Sequence, residues 1–85
     1  MSYRLVIQKK AFKVLQEIQE PDYSAIKKAI YALADNPRPH GYIKLKGTKN
    51  YRIRIGDYRI IYGIFDNILL IEVINIGHRK DVYNQ

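Results

Sequence analysis

The stretch Tyr51-Arg-Ile-Arg-Ile55 alternates strictly between apolar and basic residues, breaks at Gly56-Asp57, and resumes as strand from Tyr58 to Phe65. Strand side chains alternate between two faces, and a two-residue Gly-containing break between such runs is a hairpin signal. A two-residue loop at Gly56-Asp57 sets Ile55 against Tyr58, Arg54 against Arg59 and Ile53 against Ile60. A second two-residue loop at Asp66-Asn67 would set Tyr62 against Ile71 and Ile60 against Val73. One face then collects Ile53, Ile55, Ile60, Tyr62, Ile64, Leu69, Ile71 and Val73. The other collects Arg52, Arg54, Arg59 and Glu72. The second half of the chain must therefore be a sheet with one face to cover and one cationic face.

The first half supplies the cover. Tyr3 to Ile7 reads as a strand. From about Lys9 to Gln19, Phe12, Leu15 and Ile18 recur with Ala11 and Val14 alongside, which predicts a short amphipathic helix. Glu20-Pro21-Asp22 interrupts it, with Asp22 suited to a helix cap or first turn. A second helix runs from about Asp22 to Ala34, buries Tyr23, Ile26, Ile30 and Leu33, and stops at Asn36-Pro37. Tyr42 to Lys46 is a short edge strand, and Ile68 to Ile76 is the last long one. The fold class is α+β, in the order β-α-α-β-β-β. A helical hairpin covers one face of a mainly antiparallel sheet.

At 85 residues the chain has room for one domain. The absence of cysteine excludes disulfides, thiolate metal sites and a cysteine nucleophile. No apolar run approaches the roughly 20 residues of a membrane span, and Met1 to Ile7 has no signal-peptide layout. A cytoplasmic protein with no membrane partner is the expectation.

The formal charge is +7, and it is unevenly placed. Residues 38–59 hold Arg38, Lys44, Lys46, Lys49, Arg52, Arg54 and Arg59 against Asp57 alone, a net +6. Residues 1–37 carry +2 and residues 60–85 carry −1. Concentration of this kind favours a polyanionic partner over general solubility. Arg54 opposite Arg59 is a repulsive pair that arginine cannot relieve by losing a proton. Glu72 could offset part of the repulsion, leaving a solvated face. Alternatively the pair is an anion site, suited to a phosphodiester.

Gly77-His78-Arg79 follows the last strand near the Arg54/Arg59 end. Histidine as a residue type can act as acid or base near neutral pH, so His78 could do so, Arg79 adds a fixed cation, and Tyr83 follows. A lone histidine at a strand end is also an ordinary surface residue, and a C-terminal tyrosine is also an ordinary packing anchor. Cations with a histidine and a tyrosine, and no obvious metal set or cofactor motif, fit one chemistry above others. RNA can be cut by its own 2′-hydroxyl when a protein supplies in-line geometry, cations, an acid and a base.

Lys44-Leu-Lys-Gly47, Tyr51-Arg-Ile-Arg-Ile55, Gly56-Asp-Tyr-Arg-Ile-Ile-Tyr62 and Ile76-Gly-His-Arg-Lys-Asp-Val-Tyr83, in that order behind two helices, resemble the RelE/ParE toxin superfamily. The resemblance implies a toxin of a type II toxin–antitoxin module. For RelE-type members it implies a ribosome-dependent endoribonuclease that cleaves mRNA in the A site without a metal or cofactor. Arg52 and Arg54 stand where the family carries lysines near the scissile phosphate. Arginine keeps the charge but not a proton-transfer role. The resemblance assigns Arg59 to the phosphate in the transition state, Arg79 to the leaving group and Tyr83 to the base. His78 could share or replace that last role. Lys44, Lys46 and Lys49 are further candidate RNA contacts. ParE-type members act instead on DNA gyrase. Either type implies a cognate acidic antitoxin.

Overall fold

The computed structural model describes residues 2–78, so Arg79 and Tyr83 lie outside the described residues. Five strands form one sheet: β1 (Arg4–Ile7), β2 (Ile43–Lys44), β3 (Asn50–Ile55), β4 (Tyr58–Phe65) and β5 (Leu70–His78). Helices α1 (Lys9–Glu17) and α2 (Asp22–Leu33) connect β1 to the rest. The spatial order is β1-β5-β4-β3-β2, with β1 parallel to β5 and every other pair antiparallel. The expected α+β order of strand, helical hairpin and sheet is what forms.

The β3–β4 hairpin has the predicted register, Ile55 with Tyr58, Arg54 with Arg59 and Ile53 with Ile60. Gly56 makes it possible by adopting φ +57°, which a Cβ disfavours. No atom would touch a Cβ added there, so a substitution acts through the backbone alone. Gly56→Ala is expected to cost about 1–2 kcal/mol, read as a lower urea midpoint at constant slope. An unchanged midpoint would contradict this turn geometry.

The β4–β5 hairpin departs from expectation. Its connection has four residues, not two: Asp66–Ile68 form one 3₁₀ turn, and Leu69 closes it with φ +51°. Phe65 therefore pairs with Leu70, Ile64 with Ile71 and Tyr62 with Val73. Leu69, expected on the apolar face, lies in the loop. The slip is two residues, which preserves side-chain parity, so Tyr62, Ile71 and Val73 still reach the core. A second irregularity follows, because Ile61 pairs with Asn75 while Tyr62 pairs with Val73. Ile74 is the extra residue of a bulge. The bulge turns Ile76 inward and pairs Ile60 with Ile76 in place of Val73. It also carries the strand on to His78.

The helices cover the face bearing Ile53, Ile60, Tyr62, Ile71, Val73 and Ile76. Ala11, Leu15 and Ile18 are buried, at i, i+4 and i+7, as a 3.6-residue period requires. Phe12, expected in that stripe, is about half exposed, because a strict three-residue repeat drifts off one helix face. The first helix ends at Glu17 because Ile18 is already extended. From α2, Ile26, Ile30 and Leu33 are buried as expected. Its cap comes from Glu20, not Asp22. The Glu20 carboxylate accepts the Ser24 backbone N–H at 3.0 Å and the Ser24 hydroxyl at 2.6 Å.

The segment after α2 is held from two sides. Tyr62 is fully buried, and its hydroxyl donates to the Pro37 carbonyl at 2.7 Å. Burial pushes that hydroxyl's pKa up to about 12, so it stays a donor at any ordinary pH. Arg38 meets Asp66 with N–O distances of 2.8 and 3.4 Å, and the Tyr3 hydroxyl donates to the same carboxylate. Chiefly because of the Arg38 bonds, and then Tyr3, the Asp66 carboxyl titrates below the usual aspartate range. A depressed folded pKa stabilises the fold above the unfolded value. That contribution is lost as pH falls through the folded value. An NMR titration is expected to put the Asp66 midpoint below that of an ordinary exposed aspartate, and Arg38→Ala to raise it. A midpoint indifferent to Arg38 would contradict the clamp.

Candidate nucleic-acid interface

The alternation that buries Ile53 and Ile60 sends Arg52, Arg54 and Arg59 to the face away from the helices. Arg54 lies directly across from Arg59, and Arg52 across from Ile61. On its other flank Arg59 is paired with Gly77, which has no side chain to compete for space. Arg54 is exposed, Arg52 is half-buried, and Arg59 is only 3% exposed. β4 is the central strand of the five. Arginine does not deprotonate at any pH the chain meets, so the fold holds a permanent, largely desolvated cation at its middle. A guanidinium carries its donors in a planar fork that matches phosphate oxygens.

Glu72 does not serve this pair. It faces Gly63, four residues along β4 from Arg59, or about 13 Å by strand rise. Its carboxylate instead accepts from the Gln8 amide at 3.0 Å. The two-residue slip alone moves it there from its expected place opposite Ile61, so the expected offset of the arginine pair by Glu72 does not occur.

His78 reaches the same end of the sheet by a different register. It is the last residue of β5 and pairs with Tyr58. Its ring meets the Tyr58 ring edge-on at 5.3 Å. Tyr58 packs against the core, so His78 shares the helix-side face while Arg59 occupies the opposite one. Lys44, Lys46 and Lys49 belong to β2 and the turn into β3, at the end of β3 remote from Arg54. The Lys44 ammonium donates to the Thr48 carbonyl at 2.9 Å. The structure thus gathers three arginines on one face and puts the lysines at the rim. Among the described residues, no group of three or more His, Cys, Asp or Glu could hold a metal ion.

Two features escaped the sequence reading. A cleft of about 380 Å³ lies between α2, the 36–41 segment and the end of β3, with Leu33, His40, Ile53 and Arg54 among its lining. On the arginine face, Phe65 folds over Gly63 and stays 42% exposed. Its signal was available: Phe65 is an aromatic on the outward phase of an otherwise alternating strand.

The model of the family described as the ParE toxin of the type II toxin–antitoxin system parDE matches residues 5–83. The chain belongs to the ParE toxin family. Related chains extend this to the RelE/ParE superfamily. A RelE-like protein of Escherichia coli is 29% identical over 89 residues, spanning 99% of this chain and 93% of that protein. RelE in the archaeal RelE–RelB complex of Pyrococcus horikoshii superposes with a TM-score of 0.82 at 33% identity, over 93% of this chain and 97% of that one. The isolated RelE toxin of E. coli superposes with a TM-score of 0.79 at 26% identity, over 98% and 93%. This ParE-family chain therefore shares its fold with RelE toxins. Among its described residues, no helix is long and apolar enough to cross a membrane.

Proposed function

We propose that this toxin is an endoribonuclease that cleaves mRNA on the ribosome and so arrests translation. The observation that carries the reading is the Arg54/Arg59 pair with Arg52 beside it, on one sheet face. Three permanent cations on a rigid sheet suit a phosphodiester whose charge grows at phosphorus in the transition state. The RNA 2′-oxygen attacks phosphorus in line, the bond to the 5′-oxygen breaks, and a 2′,3′-cyclic phosphate remains. The 2′-hydroxyl gives its proton to a base, for which Tyr83 and His78 are the candidates. The departing 5′-oxygen takes a proton from solvent water, and Arg79 offsets its charge. Arg59 holds the non-bridging oxygens. Arg52 and Arg54 position the strand, and Lys44, Lys46 and Lys49 contact the flanking backbone. No metal enters these steps.

The antitoxin reading rests on the relatives. RelE of P. horikoshii and RelE of E. coli have both been solved with RelB. An acidic cognate antitoxin fits a chain of +7 with its cations on one face. One observation favours a second reading, since the matching family model is the ParE one. On that reading the toxin binds DNA gyrase and cuts nothing.

Primer extension of cellular transcripts after brief expression separates the two. New 5′ ends within translated regions are expected. Intact transcripts accompanied by gyrase-linked DNA breaks would replace the ribonuclease by the gyrase inhibitor.

A further inference from the structure

We propose that Phe65, seated on Gly63, is a base-stacking platform that receives an unpaired nucleobase of single-stranded RNA next to the arginine row. The inference rests on the ribonuclease reading and adds a base contact to it. Arg59, Ile61, Gly63 and Phe65 alternate along the open face of β4. The Phe65 ring bends back along that face until its edge lies 3.2 Å from where a Gly63 Cβ would stand. Gly63 is buried beneath it, and the ring nonetheless keeps 42% of its surface exposed. A ring anchored by its edge on backbone, with much of its surface open to solvent, leaves a π-face on which a base can stack.

The surroundings select the occupant. Asn50 pairs with Gly63, and its side-chain oxygen lies 3.8 Å from the same Cβ position, so an amide and the ring converge on one glycine. Arg52 is two residues from Asn50 on the same face, about 7 Å by strand rise. That is the scale of one extended nucleotide. A phosphate on Arg52 therefore brings an adjacent base over Phe65, with the Asn50 amide at its edge. Arg52, Arg54 and Arg59 on one side and an aromatic on the other match a phosphate backbone with an unstacked base. A duplex, whose bases are already stacked, cannot use the ring.

The chain contains no tryptophan, so Phe65→Trp places a single tryptophan on the platform, excited at wavelengths the eight tyrosines do not absorb. Titration of the full-length variant with a short 2′-O-methyl RNA, which cannot be cut, is expected to quench that fluorescence saturably. An abasic oligonucleotide of equal charge should bind without comparable quenching. Phe65→Leu, which keeps apolar area but no ring, is expected to weaken binding of the short RNA about tenfold without shifting the melting temperature appreciably. Gly63→Ala should act in the same direction by lifting the ring. RNA binding that depends on Arg52 but leaves the tryptophan unquenched, and is unchanged in Phe65→Leu, would overturn the platform while sparing the ribonuclease reading. Absence of RNA binding by the wild-type chain, free and on ribosomes, would overturn both.

Discussion

Arg59→Lys is expected to slow RNA cleavage at least about a hundredfold, the scale of removing one preorganised donor from a developing oxyanion. Lysine keeps the charge and most of the length, so the variant isolates geometry. The guanidinium presents a planar fork matched to two phosphate oxygens, whereas an ammonium is a point charge. Two structural facts make Arg59 the position of largest effect. It is the least exposed of the three arginines, at 3%, and it lies on the central strand, where its backbone is paired on both sides. Arg54 is exposed on the neighbouring strand and should cost less when replaced. Single-turnover cleavage is the measurement, with a thermal melt as control for folding. A wild-type rate in a folded Arg59→Lys protein would remove Arg59 from the chemistry.

The largest loss of stability is expected at Tyr62. Tyr62→Ala should destabilise the fold by about 3–5 kcal/mol, as for large aromatic truncations in cores. For a domain of this size that is a large share of a total of about 5–15 kcal/mol. The ring is fully buried and lies within 6.0 Å of the Tyr51 ring, which in turn meets Tyr42. Tyr62→Phe separates packing from the hydrogen bond. It leaves the Pro37 carbonyl without the 2.7 Å donor. The expected cost is about 1 kcal/mol, or a melting temperature lower by roughly 4–8 °C. Urea unfolding of both variants measures the difference. Equal loss in the two would mean that the hydroxyl, and not the ring, carries the contribution.

The sheet faces were legible in the sequence for a physical reason. Alternation with period two survives any even slip, so Arg52, Arg54 and Arg59 fell on the correct face even though the second hairpin is misaligned by two residues. What was not legible lies where one residue changes the phase. Nothing in Ile71 to Ile76 marks Ile74 as the bulge, because Val73, Ile74 and Ile76 are equally apolar and β-branched and any of them could face the core. Nothing local marks Leu69 for a positive φ, which the 3₁₀ turn imposes on it. The turn alone moves Glu72 away from the arginines, and the turn and the bulge together bring His78 into the strand opposite Tyr58. Glu20 as the α2 cap was missed for a different reason. The carboxylate reaches forward four residues to Ser24, past the position where a short capping side chain normally acts. Phe65 was legible only as the end of a strand, although parity with Arg59 puts it on the open face. The resemblance to RelE/ParE toxins rested on segments whose order the family match later spanned, from residue 5 to 83.

The central claim is that the arginine face acts on a phosphodiester of mRNA. Its most direct measurement uses purified protein and ribosomes programmed with a defined message, followed by analysis of the new 3′ end. Cleavage within the translated sequence is expected, with a 2′,3′-cyclic phosphate on the upstream fragment and loss of that product with Arg59→Lys. A message left intact by wild-type protein bound to those ribosomes, or cleavage undiminished in a folded Arg59→Lys variant, would contradict that claim.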